Sequence, residues 1–121
     1  MSFGLGHGKA LDTAPGVVAI SETELPVLPD SIIDDPESAR LDLRTWFKDP
    51  SRRLELEIGS GKGAFLVQQA HLEPETNFLG IEWAREFAAY IADRIRRKQE
   101  SEQTHTNVRV LHTDASQLLK W

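Results

Sequence analysis

Apolar and polar residues alternate at Leu54, Leu56 and Ile58, and this period of two predicts a strand over about 54–58. The strand breaks into Gly59-Ser60-Gly61-Lys62-Gly63, where glycines permit a tight turn and close approach of a ligand to the backbone. A helical pattern follows over about 63–72, carried by Ala64, Phe65, Leu66, Val67 and Ala70 and ended by Pro74. Asn77 to Glu82 reads as a second strand. The next helix runs from about Arg85 to Glu100, with Phe87, Tyr90, Ile91 and Ile95 on one stripe and Asp93, Arg94, Arg97 and Lys98 largely on the other. Val108 to His112 makes a third strand, with Asp114 just beyond it and a short turn or helix through Leu119. Before residue 50 the signal is thinner. Val17, Val18 and Ile20 suit one short extended piece, and Pro36 to Phe47 suits a short helix closed by Pro50.

The order βαβαβ is the first half of a doubly wound parallel sheet, an α/β, Rossmann-like architecture. Right-handed crossovers place the helices against the sheet, and the carboxyl ends of the strands form the ligand crevice. Residues 51–121 are expected to be the N-terminal half of such a domain, and residues 1–50 an acidic arm. Three strands and two helices would leave apolar faces poorly covered, so either a longer protein or another chain completes the sheet; the former is the expectation.

Charge sharpens that division. Residues 1–50 hold nine acids and four bases, whereas residues 51–121 hold ten of each. The net charge of -5 therefore sits in the arm. It hides a basic cluster, Arg94, Arg96, Arg97 and Lys98, which is either a solvated helix face or a contact for RNA phosphate. The absence of cysteine excludes disulfides, thiolate metal sites and cysteine nucleophiles. His7, His71, His105 and His112 lack metal-ligand spacing, so no metal is expected. No apolar run reaches membrane-spanning length and the N-terminus lacks a signal-peptide pattern, so the expected setting is cytoplasmic, without membrane partners. Oligomeric state is not legible.

Three acids, Glu57, Glu82 and Asp114, stand at or just beyond successive strand ends, which a parallel sheet brings to one edge. Glu82 occupies the place where a carboxylate accepts from both ribose hydroxyls of a nucleoside; the alternative is a cap for the next helix. Asp114 either accepts from an adenine amino group or caps the segment after it. Glu57 could reach the turn's donors or a ligand ammonium. Trp83 packs either on an adenine face or between helix and sheet. His112 either lines the pocket or is structural. The glycine run lacks the Gly-Lys-Ser/Thr of a phosphate-cradling loop, and the bulk of Phe65 and Leu66 favours a nucleoside with an amino-acid tail over a pyrophosphate. Lys62 is expected to be exposed, and Ser60 is not in a nucleophile elbow.

At these residues the chain resembles the S-adenosylmethionine-dependent methyltransferases, and more narrowly the tRNA (guanine-N7-)-methyltransferase family. Leu56 to Leu66 is similar to that family's first motif, Phe78 to Glu82 to its second, and Asn107 to Ala115 to its third strand and following acid. The resemblance covers roughly residues 53–119. It implies a Rossmann-like methyltransferase fold and S-adenosyl-L-methionine as cofactor, held by Glu57, Gly59, Ser60, Gly61, Gly63, Glu82, Trp83, Asp114 and Ala115. It also implies methyl transfer to N7 of guanine in tRNA, a lone-pair nitrogen that needs no strong base before attack. The family's Asp-Pro segment after its fourth strand, which carries a catalytic acid, is not among these residues, so no catalytic residue is assigned and the chain is expected to supply the cofactor-binding half. The residues after Glu82 differ from the family's common His-containing form. Competing readings are a methyltransferase for another RNA, a protein or a small molecule, a nicotinamide-dependent oxidoreductase, and a non-catalytic nucleoside-binding module.

Overall fold

The computed structural model describes residues 10–25, 30–35, 37 and 41–113. Five regular elements follow in chain order: β1 (Leu54–Ile58), α1 (Ala64–Leu72), β2 (Asn77–Glu82), α2 (Arg85–Glu102) and β3 (Val108–His112). All three strand ranges match those predicted from alternation, and the helices agree to within two residues. Short 3-10 turns at Glu22–Glu24, Asp30–Ile33 and Leu43–Trp46 precede them. Of the helix expected from Pro36 to Phe47, residues 41–47 form only the 3-10 turn Leu43–Trp46, because Asp42 and Phe47 are extended on either side of it; Pro36 and residues 38–40 lie outside the described residues.

The strands are parallel in the order β1-β2-β3. Ile58 pairs with Ile81 and Glu82 with His112, so the chain leaves all three strands along one carboxyl edge. Side chains alternate across the sheet. On one face Phe78, Val108 and Val110 meet Leu66, Val67 and Ala70 of α1 and Ala88, Ile91, Ala92 and Ile95 of α2. On the other, Leu79, Ile81 and Leu111 meet Trp46 and Phe47. Glu82 belongs to the helical face, where both helix N-termini lie.

The two sheet edges differ. Residues 18–20 run along the outer edge of β3: Ile20 N–H donates to the Val110 carbonyl at 2.8 Å, and Val110 N–H donates to the Val18 carbonyl at 3.0 Å. Of the extended piece expected at Val17 to Ile20, residues 18–20 form a strap closing that edge, with Val18 wholly buried, while Val17 belongs to the preceding turn. Arg109 fastens it. Its guanidinium donates to the Glu24 carboxylate at 2.7 and 3.1 Å, and to the carbonyls of Trp46 at 2.9 Å and Ala19 at 3.1 Å. At the other end Arg96 Nε donates to the Asp12 carbonyl at 3.1 Å. No strand pairs with the outer edge of β1 among the described residues, and Leu56 and Ile58 there are 45% and 59% exposed. That is the poorly covered apolar face anticipated above.

Candidate functional site

The turn after β1 is built from left-handed glycines. Gly59, Gly61 and Gly63 have φ of 74°, 56° and 81°, values that cost a residue with a Cβ about 1–2 kcal/mol. Their surroundings separate their roles. A Cβ on Gly59 or Gly61 would meet nothing within 4 Å, whereas one on Gly63 would stand 2.8 Å from Ile91 Cγ1. Gly63 lets α1 close against α2; Gly59 and Gly61 leave an open cradle at the carboxyl edge. Lys62 is exposed on this turn, as expected.

Glu82 is buried and ties the cradle to the second helix. Its Oε1 accepts from Gly61 N–H at 2.8 Å and its Oε2 from Ala84 N–H at 2.7 Å. Ala84 is the N-cap residue of α2, so the helix-capping alternative describes one oxygen and the turn claims the other. An ionised carboxylate has about four lone-pair positions, and two remain for hydroxyl donors from a ligand.

Glu57, the penultimate residue of β1, lies on the same face, in register with Gly80. Burial pushes its carboxyl above the ordinary range, and the nearby Ser60 side chain offsets part of that. A carboxylate so placed gains from an approaching cation. The Ser60 hydroxyl itself is buried and donates to the Glu57 carbonyl at 3.2 Å. Ser60 therefore shapes the turn from beneath.

Beyond the ends of β2 and β3 lies a cavity of about 540 Å³ lined by Trp83, Ala84, Arg85, His112 and Thr113. Trp83 is 71% exposed and offers an indole face, not a packed core contact. His112 Nε2 lies 3.0 Å from the Trp83 carbonyl; since a carbonyl only accepts, that nitrogen carries the proton, and the ring pins the Trp83 backbone beside the cavity. Both readings of His112 hold together. Asp114 and Ala115 lie outside the described residues.

Gly80 escaped the reading of the sequence. A Cβ there would sit 2.5 Å from Leu66 Cδ2 and 3.0 Å from Ser60 Oγ, so only glycine lets the turn and α1 settle onto β2. The available signal was a glycine interrupting an apolar strand. Arg109 was missed too, although a charged residue inside a buried strand calls for a partner.

An open glycine cradle, a buried acid at the second strand end and an aromatic-lined cavity lie along the carboxyl edge of a parallel sheet. Residues 51–121 match the family described as "Putative methyltransferase", and the chain belongs to that family. Among curated proteins it is similar to the tRNA (guanine-N(7)-)-methyltransferase of Rhizobium johnstonii, 35% identical over 98% of this chain and 47% of the relative. It is likewise similar to the proteins of that name in Rhizobium meliloti, 34% identical over 98% of this chain and 47% of the relative, and in Rhodopirellula baltica, 33% identical over 75% and 37%. The chain thus spans less than half the length of these relatives. Among the described residues no helix is long and apolar enough to cross a membrane, and no cluster of His, Cys, Asp or Glu could hold a metal ion.

Proposed function

We propose that this chain forms the cofactor-binding half of an S-adenosyl-L-methionine-dependent enzyme that methylates N7 of guanine in tRNA. The observation that carries the cofactor is Glu82, whose two oxygens hold the glycine turn and the start of α2 while keeping lone pairs for a ribose diol. The fit extends to both ends of such a molecule. Gly59 and Gly61 give its amino-acid tail room against the backbone, and the Glu57 carboxylate offers a counter-charge to its ammonium. Trp83 offers a face for the adenine, and Asp114 and Ala115 are proposed to complete that end. When bound, the cofactor supplies an activated methyl group on a sulfonium.

This chain's residues bind and orient. Glu82 and the turn would fix the nucleoside relative to the strand ends, and burial of Glu57 favours the cationic tail over neutral competitors. The acceptor is argued from the relatives, whose names specify tRNA guanine N7. Cytoplasmic residence would follow from such a substrate.

The test has two stages. Equilibrium dialysis of the chain against labelled S-adenosyl-L-methionine is expected to show saturable binding, displaced by the demethylated product and abolished in Glu82→Ala. Incubation with an unmodified tRNA transcript and a protein spanning the relatives' full length should place the label in 7-methylguanosine. Absence of binding by the folded chain refutes the cofactor. Label recovered in another nucleoside refutes the acceptor and leaves the cofactor standing.

A further inference from the structure

The basic cluster on α2 divides once its partners are known. Arg96 is neutralised, lying 3.0 Å from Asp93, 2.8 Å from Glu100 and 3.5 Å from Asp12. Arg97 pairs with Asp93 at 2.9 Å. Among the described residues Lys98 pairs with the exposed Glu102, at 3.3 Å. No carboxylate lies within ion-pair distance of Arg94 among the described residues.

Arg94 and Lys98 form one wall of a groove of about 390 Å³ between the two helices, with Ala64, Gln68 and His71 of α1 opposite. His71 stacks on His105 with ring centroids 5.6 Å apart, which holds the α1 wall beside the end of α2. A second cleft, of about 470 Å³ and lined also by Tyr90 and Arg97, shares Arg94, Lys98 and Glu102 with the first. Together they form one trough. Its upper end is Ala64, the residue after Gly63, so the trough opens at the glycine turn.

We infer that this α1–α2 trough is a track for the phosphate backbone of the RNA substrate, with Arg94 and Lys98 as its principal cations. This rests on the tRNA reading above. The chemistry fits a polyanion: two cations across from amide and imidazole donors, in a trough leading away from the candidate site. Among the described residues Glu102 is the single acid lining it, and it competes with RNA for Lys98. An extended polyanion reads such a surface without base recognition, through counterion release.

The test measures binding of a folded tRNA transcript to the chain by fluorescence anisotropy over a salt series, with cofactor binding followed in parallel. Removing both charges in the Arg94→Gln, Lys98→Gln double variant is expected to weaken binding roughly tenfold near 0.1 M salt and to flatten the log–log salt slope by about one for each phosphate left unpaired. Glu102→Gln should tighten binding, an outcome that misfolding cannot mimic. Arg94→Lys with Lys98→Arg should keep the wild-type slope, and Lys48→Gln, an exposed cation outside the trough, should change nothing. Cofactor binding should be the same throughout. If wild type binds tRNA but the double variant and Glu102→Gln leave affinity and slope unaltered, the track is refuted and the substrate reading stands. If the wild-type chain binds cofactor but no tRNA, the track is refuted, and the acceptor reading rests on the full-length methylation assay above.

Discussion

Replacing Glu82 by glutamine changes one oxygen to an amide and removes the charge, with almost no change of shape. In the native fold each oxygen accepts one backbone N–H, from Gly61 at 2.8 Å and Ala84 at 2.7 Å. An amide has one carbonyl oxygen, so one of the two N–H groups must face an NH2 donor. The loss is one charge-assisted hydrogen bond, worth about 1.5–3 kcal/mol, together with weakening of the survivor as the charge goes. A total near 3 kcal/mol is expected, which for a domain of this size lowers Tm by roughly 10 °C or more. Urea titration of wild type and Glu82→Gln at matched pH measures it, with the m-value checking that both unfold as one unit. The cost should fall on the turn, so amide exchange at Gly61 should accelerate more than at Val108 in the core. If Glu82→Gln is within about 0.5 kcal/mol of wild type, the range expected for a surface substitution, then Glu82 does not hold the turn and its two short contacts carry no energy.

Further expectations follow from the same geometry. Arg109→Met removes the guanidinium from the Glu24 carboxylate and from the Trp46 and Ala19 carbonyls, at a cost of about 3 kcal/mol; amide exchange at Ile20 and Val110 should rise together, and unchanged protection there would show that the strap holds without its clasp. Gly63→Ala meets Ile91 at 2.8 Å in a left-handed backbone and should destabilise the chain by about 2–4 kcal/mol. Gly61→Ala has open space and should cost only the backbone term of about 1–2 kcal/mol, while obstructing the cradle and weakening cofactor binding; equal stability losses for the two would overturn the division of roles. Burial raises the Glu57 carboxyl, so its proton is bound more tightly in the fold than in the unfolded chain. The ionised form therefore costs stability above the raised value, and that cost disappears as pH falls through it. A cationic ligand needs the ionised form, so cofactor affinity should decline over the same fall in pH, and Glu57→Gln should abolish that dependence in calorimetric titrations.

The regular elements were legible because burial enforces their periods. β2 is buried along its whole length, and α2 presents Ile91 and Ile95 to the sheet. The acids at the strand ends were legible because parallel topology alone brings Glu57 and Glu82 to one edge. The pairing of their atoms was not. That Glu82 spends one oxygen on Gly61 and another on Ala84 depends on how far the turn folds back, which no spacing encodes. The strap was half legible: Val18 and Ile20 read as extended, but their partner is on β3, some ninety residues away in sequence. Arg109 showed only that a charge inside a buried strand needs a partner; which partners was not legible, since they are Glu24 and three carbonyls from distant segments. Gly80 was visible as a residue and invisible as a function, because its role is the volume it leaves to Leu66 and Ser60.

The outer edge of β1, which no described strand pairs, has a bearing on what the chain does in concentrated solution. Unpaired strand edges recruit other strands, and two copies joined across a twofold axis would set β1 against β1 antiparallel. Centring that pairing on Leu56 places Leu54 opposite Ile58, an apolar match, but Glu55 opposite Glu57, a like-charge clash that destabilises a sheet. The acids thus make the edge selective: closed to its own copy while ionised, open to a strand that brings neutral or basic residues to those positions. Acidification removes the guard. As Glu57 takes up its proton, which burial favours, light scattering should report self-association, and Glu55→Lys should make that self-association independent of acidification by setting a cation against each Glu57.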